Sequence, residues 1–182
     1  MIKAVAFDLI GVLLEVNDFP LTAFQTELAQ AFGLIPADED FINHFSQSSE
    51  KDRAEVERET RFVISHKYDI REPDLFSHLP KIKYAVASNH LSYMSDWLRS
   101  LPIGQYFDLY FTSGDRGLAK PCAAYYYALA KELEEPPVNI LFIDDTAANC
   151  EGAAATGMKV VHFTSAMNLT EVVLKNLRGN KC

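Results

Sequence analysis

The sequence predicts an α/β fold, a doubly wound parallel sheet with an inserted helical cap, and three observations lead to it. Five short apolar runs, Ala4–Phe7, 84–87, Leu109–Thr112, 140–143 and 160–163, each end at polar or glycine-bearing turns. Most of the stretches between them carry apolar residues at helical spacing. One stretch, 15–79, is far longer than a crossover connection requires and is itself helical in pattern.

The runs are continuous rather than alternating, which is how strands buried on both faces of a parallel sheet read. The first follows Met1-Ile2-Lys3 and superficially resembles the start of a signal peptide, but Asp8 interrupts it and Glu15 follows, so it is read as a buried strand. Within 15–79, the segment 19–32 places Leu21, Phe24, Leu28, Ala31 and Phe32 on one face, and the charged segment 50–66 places Val56, Phe62 and Val63 on one side. The charges from Glu50 to Arg61 read as a solvated helix face. Farther on, 92–98, 122–133 and Ala147–Ala155 have helical spacing, with Gly157 placed to stop the last. Trp97 and the Tyr125-Tyr126-Tyr127 triplet are expected to pack their helices on the sheet. Strand, helix, strand with right-handed crossovers brings the carboxyl ends of the strands to one edge. The expected division is 1–14 with 80–182 as the α/β core and 15–79 as the helical cap.

Bulk composition narrows the function classes. A chain of 182 residues with 48% hydrophobic and 23% charged residues can bury a core without disulfides or structural metal. A net charge of -8 with no basic run argues against nucleic acid as partner. Cys122, Cys150 and Cys182 lack metal-type spacing and suit free thiols in a cytoplasmic protein. No apolar stretch approaches the roughly 20 residues that span a bilayer, so no membrane association is expected.

The chemistry-bearing residues follow the strands. Asp8 alone reads as a turn residue, Ser88 as a helix cap and Lys120 before Pro121 as a loop lysine. Asp144-Asp145 is harder to dismiss, because adjacent carboxylates at a core edge repel and need a cation or donors. A carboxylate nucleophile attacking a phosphoryl group would likewise need a divalent cation and fixed positive donors.

Together the pattern is Phe7-Asp8-Leu9-x-Gly11-Val12-Leu13, Ser88-Asn89, Lys120-Pro121 and Asp144-Asp145-x-x-x-Asn149. This order resembles the four motifs of the haloacid dehalogenase-like (HAD) hydrolase superfamily across essentially the whole chain. The nearest likeness is to sugar-phosphate phosphatases with a small helical cap after the first motif. The resemblance implies a Rossmann-like core and a magnesium-dependent phosphatase acting on a small phosphorylated metabolite through an aspartyl-phosphate. Asp8 would be the nucleophile, and Ser88, the amide of Asn89 and Lys120 would bind the phosphoryl group. Mg²⁺ would be held by Asp8, the carbonyl of Ile10 and the acidic pair, Asp145 directly and Asp144 through water.

One position departs from that pattern. Phosphatases of the superfamily usually place an acid/base aspartate two residues after the nucleophile, and here it is Ile10. Such catalysis is worth about 10²- to 10⁴-fold in rate. The alternative is therefore a catalytically weak HAD-fold protein that binds a phosphorylated ligand or a protein partner. Dehalogenase chemistry is disfavoured by the retained acidic pair. Phosphonate-hydrolase chemistry would need an activated cap lysine, for which Lys51 and Lys67 carry no local signal. His90, two residues past Ser88, is either a solvent-facing residue at a helix start, the reading favoured here, or a substitute proton donor at the site mouth.

Overall fold

The computed structural model describes residues 1–35 and 37–178; Cys182 lies outside the described residues. In chain order the elements are β1 (Ala4–Phe7), β2 (Leu14–Val16), α1 (Ala23–Ala31), α2 (Asp38–Ser48), α3 (Arg53–His66), β3 (Tyr68–Ile70), α4 (Leu75–His78) and β4 (Lys83–Ser88). They continue with α5 (Ser92–Ser100), β5 (Leu109–Thr112), α6 (Ser113–Arg116), α7 (Ala123–Glu132), β6 (Ile140–Asp144), α8 (Ala147–Ala155), β7 (Lys159–His162) and α9 (Leu169–Arg178).

The five predicted strands form one sheet in the order β5-β4-β1-β6-β7, with every pairing parallel. Successive side chains of a strand point to opposite faces, and both faces here are apolar. Val5 and Phe7 join Tyr84, Val86, Leu141 and Ile143 in one core, covered by Met94 and Leu98 of α5 and by Leu169 and Val173 of α9. Ala4, Ala6, Ala85 and Ala87 join Ile140 and Phe142 in a second core beneath Tyr125, Tyr126 and Leu129 of α7. Small alanines on that face leave room for the tyrosine rings, whereas Tyr127 points outward. Trp97 is half-buried and packs against the first core, as expected. Gly157 takes φ +93 at the end of α8, where its amide donates to the Ala154 carbonyl.

Between β1 and β4 the chain builds a helical layer with its own core of Leu28, Phe41, Ile42, Phe45 and Val56. Thr22 opens α1 with a capping box to Gln25, and the Asp52 side chain accepts from the Glu55 amide to open α3. Such caps satisfy amides that the helix itself cannot. The layer is entered and left through an antiparallel ribbon of β2 and β3, which pairs Leu14 with Ile70 and Val16 with Tyr68. It is tied to the sheet domain at α5, where Asp38 accepts from the Ser92 amide at 2.9 Å and also from its hydroxyl. No helix among the described residues is long and apolar enough to cross a membrane.

Candidate active site

Asp8 stands one residue beyond β1, the central strand, and its amide extends the ladder by donating to the Ile143 carbonyl at 2.8 Å. The nucleophile candidate is thereby fixed between β4 and β6 at the carboxyl edge of the sheet. Ser88 closes β4 and Asp144 closes β6, so the parallel register delivers them to the same edge.

Lys120 reaches this edge from the loop before α7. Its side chain is 1% exposed, and its ammonium donates to Asp8 Oδ1 at 2.8 Å, to Asp144 Oδ2 at 2.7 Å and to the Ala87 carbonyl at 2.9 Å. All of its N–H donors are therefore engaged. Burial alone would lower the lysine pKa, but the attraction of Asp8 and Asp144 and their hydrogen bonds leave it raised. For Asp8, burial pushes the carboxyl up to about 6; the Lys120 charge opposes this and the Asp144 charge adds to it. Asn89 fixes the lysine from behind: its Oδ1 accepts from the Lys120 amide at 2.8 Å and its Nδ2 donates to the Lys120 carbonyl at 2.9 Å. The Asn89 side chain is thus spent on holding Lys120.

The two adjacent aspartates differ sharply. Asp144 is fully buried, and its oxygens accept from Lys120, from the Thr146 amide at 2.9 Å and from Asn149 Nδ2 at 3.0 and 3.2 Å. Asp145 is exposed, and its carboxylate is met by the Thr146 hydroxyl at 3.3 Å. Its backbone carbonyl accepts from His162 Nε2 at 2.8 Å.

Gly11 explains how Asp145 lies so close to the Asp8 loop. It adopts φ +90, a conformation that L side chains rarely take, and a Cβ there would sit 2.2 Å from Asp145 Oδ2. One carboxylate oxygen from each of Asp8, Asp144 and Asp145 lies within 4.8 Å of the other two. One ammonium among three carboxylates leaves two formal negative charges, and such a cluster of hard oxygen donors fits a divalent cation of the magnesium class. The Ile10 carbonyl receives no backbone amide among the described residues, whereas the Ile10 side chain is half-buried against the first core.

His90 overturns both sequence-based expectations for it. Far from facing solvent or a site mouth, it is 1% exposed, with its ring 4.7 Å from that of Phe32. Its Nδ1 accepts from the Leu91 amide at 2.9 Å, which places the proton of the neutral ring on Nε2, a buried nitrogen with no hydrogen-bond partner among the described residues. Burial pushes its pKa down to about 4, so at neutral pH it has no acid proton to give. Lys67 donates to the carbonyls of Asn17 and Phe19, and Lys51 pairs with Glu55, so both lysines are occupied structurally.

Thr146 and His162, which help to fix the acidic pair, were not singled out from the sequence. Asn149 stands in the fourth motif without an assigned role, and five residues after Asp144 places it on the first turn of the following helix. His162 carried no signal, because its approach to Asp145 depends on the pairing of β6 with β7.

A family model for haloacid dehalogenase-like hydrolases, within the hydrolases, matches residues 2–157. A structure described as a predicted HAD-like family hydrolase from Porphyromonas gingivalis is 21% identical with a TM-score of 0.75, covering 99% of this chain and 100% of that one. A HAD family enzyme from Bacteroides thetaiotaomicron, in complex with magnesium and inorganic phosphate, is 19% identical with a TM-score of 0.70, over 94% and 99% of the two chains. The L-2-haloacid dehalogenase from Xanthobacter autotrophicus has a TM-score of 0.66 at 18% identity, over 100% of this chain and 85% of that one. These likenesses concern the fold. Drimenol cyclase from Aspergillus calidoustus is 35% identical over 57 residues, which is 31% of this chain and only 11% of that protein.

Proposed function

Because the chain belongs to the haloacid dehalogenase-like hydrolases, we propose that it is a magnesium-dependent phosphatase of small phosphorylated metabolites, with Asp8 as nucleophile. The observation that carries this reading is the meeting of Asp8, Asp144 and Asp145 with the sealed ammonium of Lys120 at one sheet edge. The Bacteroides enzyme with magnesium and phosphate supports it by likeness of fold.

In the reading proposed, one Asp8 oxygen attacks phosphorus and the ester oxygen departs with its bonding electrons, leaving an aspartyl-phosphate. Water then attacks phosphorus, releases inorganic phosphate and returns Asp8. Lys120 holds Asp8 in line and offsets negative charge as the two anions approach. Ser88 and the backbone amide of Asn89 bind phosphoryl oxygens. Magnesium, bound by Asp8, the Ile10 carbonyl and Asp145, with Asp144 behind a water, would neutralise phosphoryl charge. Its partners in this set are hard oxygens only, as that ion requires.

Ile10 shapes the substrate range. No carboxyl stands where the family usually protonates the leaving oxygen, and His90 is neutral and walled in by Phe32. Leaving groups that need little protonation, as in aryl and acyl phosphates, are therefore favoured over sugar phosphates. The same residue supports a second reading, a HAD-fold protein that binds a phosphorylated ligand or a protein partner with weak turnover. A panel of phosphate esters and acyl phosphates, assayed with and without Mg²⁺ and with Asp8→Asn as blank, decides. Mg²⁺-dependent release of phosphate that Asp8→Asn abolishes is the expected result. Turnover of none of them, or turnover surviving in Asp8→Asn, overturns the proposal.

A further inference from the structure

Arg71 follows β3, the strand by which the chain leaves the helical layer, and it lies sixty residues from the loop it touches. Its Nε donates to the Val12 carbonyl at 2.9 Å and an Nη donates to the Gly11 carbonyl at 3.1 Å. Its other Nη pairs with Glu15, and its own amide donates to the Leu13 carbonyl at 2.9 Å. The guanidinium also lies over the ring of Phe163, 5.3 Å from its centroid. Phe163 is buried, and its amide donates to the Asp144 carbonyl at 2.9 Å.

These contacts join the two loops that hold the acidic cluster. On one side Arg71 grips the Gly11–Val12 and Val12–Leu13 peptides, which follow the Ile10–Gly11 peptide. On the other it packs on the residue whose backbone is bonded to Asp144. Gly11, whose carbonyl it holds, is the residue against which the Asp145 carboxylate lies, with no room for even one added carbon. The side chain is only 12% exposed, so its charge is spent on these acceptors rather than on water. A planar guanidinium presents its donors in a rigid fork that matches two successive carbonyls and a carboxylate in this geometry, whereas an ammonium is a compact point charge on a flexible stem.

We infer that Arg71 is a positioning residue for the cation site: by holding the Gly11 and Val12 carbonyls it fixes the adjoining Ile10–Gly11 peptide, whose carbonyl is proposed to meet the ion, beside the Asp145 carboxylate. This rests on the magnesium reading above. Residues that orient metal ligands from outside the coordination sphere typically contribute about 10- to 100-fold in affinity.

The test is calorimetric titration of MgCl₂ into wild type, Arg71→Met, Arg71→Lys, Glu15→Gln and Asp145→Asn, with hydrogen exchange of the Gly11 to Leu14 amides in the metal-free proteins. Arg71→Met should weaken Mg²⁺ binding by about 10- to 100-fold, and Arg71→Lys, which restores charge but reaches fewer carbonyls, by less. Glu15→Gln removes the ion pair but leaves the carbonyl contacts, so it should bind as wild type does. Faster exchange in the loop of both Arg71 variants is expected. If Arg71→Met does not melt cooperatively, Arg71→Lys carries the comparison. Affinity within twofold of wild type in a folded Arg71→Met protein, or an equal loss in Glu15→Gln, overturns the inference. If Asp145→Asn binds Mg²⁺ as wild type does, the metal reading itself fails; unchanged loop exchange in the Arg71 variants then overturns the positioning role as well.

Discussion

Lys120 and Asp144 form an ion pair of 2.7 Å in which the two side chains are 1% and 0% exposed. Two charges so far from water each carry a desolvation cost of several kcal/mol, and the arrangement persists because every donor and acceptor is matched. Asp8 is the second carboxylate on the same ammonium, at 2.8 Å.

Lys120→Met should therefore destabilise the fold by about 3–5 kcal/mol, the usual penalty for stranding a buried charge. Adding Asp144→Asn should recover part of that loss, since the neutral amide no longer needs the cation. Urea denaturation of the two single variants and the double variant gives the coupling directly. Strict additivity would mean that the lysine and Asp144 act independently, contrary to the geometry.

Gly11→Ala meets two separate penalties. At φ +90 an alanine is strained by more than about 1 kcal/mol. Its Cβ would also sit 2.2 Å from Asp145 Oδ2, so the carboxylate must leave its place beside Gly11. Mg²⁺ affinity measured by calorimetry should fall by at least about 10-fold, together with a lowered melting temperature. Combining Gly11→Ala with Asp145→Ala removes the clash but keeps the strained backbone. If the double variant regained full stability, the strain argument would be wrong.

Stability should also carry a histidine signature in acid. The folded-state pKa of His90 is pushed down to about 4 from 6.5, so between those values the unfolded chain binds the extra proton. Stability is then fully present above about pH 6.5 and is lost progressively as pH falls to about 4, by on the order of 3 kcal/mol from this residue. His90→Asn keeps an acceptor for the Leu91 amide and cannot titrate. Its stability against pH should run flatter than wild type through that window; parallel curves would contradict the burial of a neutral ring.

How much of this was legible in the chain depended on whether the signal was local. The strands β1, β4, β5 and β6 were readable because they are largely buried apolar runs, whereas β7, with Lys159 and His162 exposed at the sheet edge, was readable only from Val160, Val161 and Phe163. The ribbon strands β2 and β3 were not, since three residues each, with Glu15 and Asp69 facing out, leave no pattern to see. Helix α2 hid because Phe41, Ile42 and Phe45 stand among acidic and amide residues. Asp8, Ser88, Lys120 and Asp144-Asp145 could be picked out as candidates because each ends or follows a readable strand or precedes a proline. Arg71 offered nothing local, because its value comes from a ribbon that brings it back to Gly11. His90 was misjudged because nothing nearby in sequence announces Phe32 as its cover.

The residue most particular to this chain is Ile10, and Ile10→Asp tests what its side chain withholds. If the site is otherwise intact, the new carboxyl should raise turnover of alkyl and sugar phosphates by at most about 10²- to 10⁴-fold, with a smaller gain on aryl and acyl phosphates. The full gain is not expected, because no neighbouring group was shaped to orient the carboxyl. Mg²⁺ affinity should change little, since the group proposed to meet the ion at this position is the backbone carbonyl. The half-buried isoleucine packs against the first core, so part of the substituted side chain will be desolvated and its pKa raised. The gain should therefore shrink where hydrolysis of the phosphoenzyme needs that residue as a base, and recover as pH is raised. Steady-state kinetics on sugar and aryl phosphates across pH, with a thermal melt on each protein, separates these contributions. A well-folded Ile10→Asp protein that gains on no phosphate ester would count against the phosphatase reading and for a ligand-binding or partner-binding role.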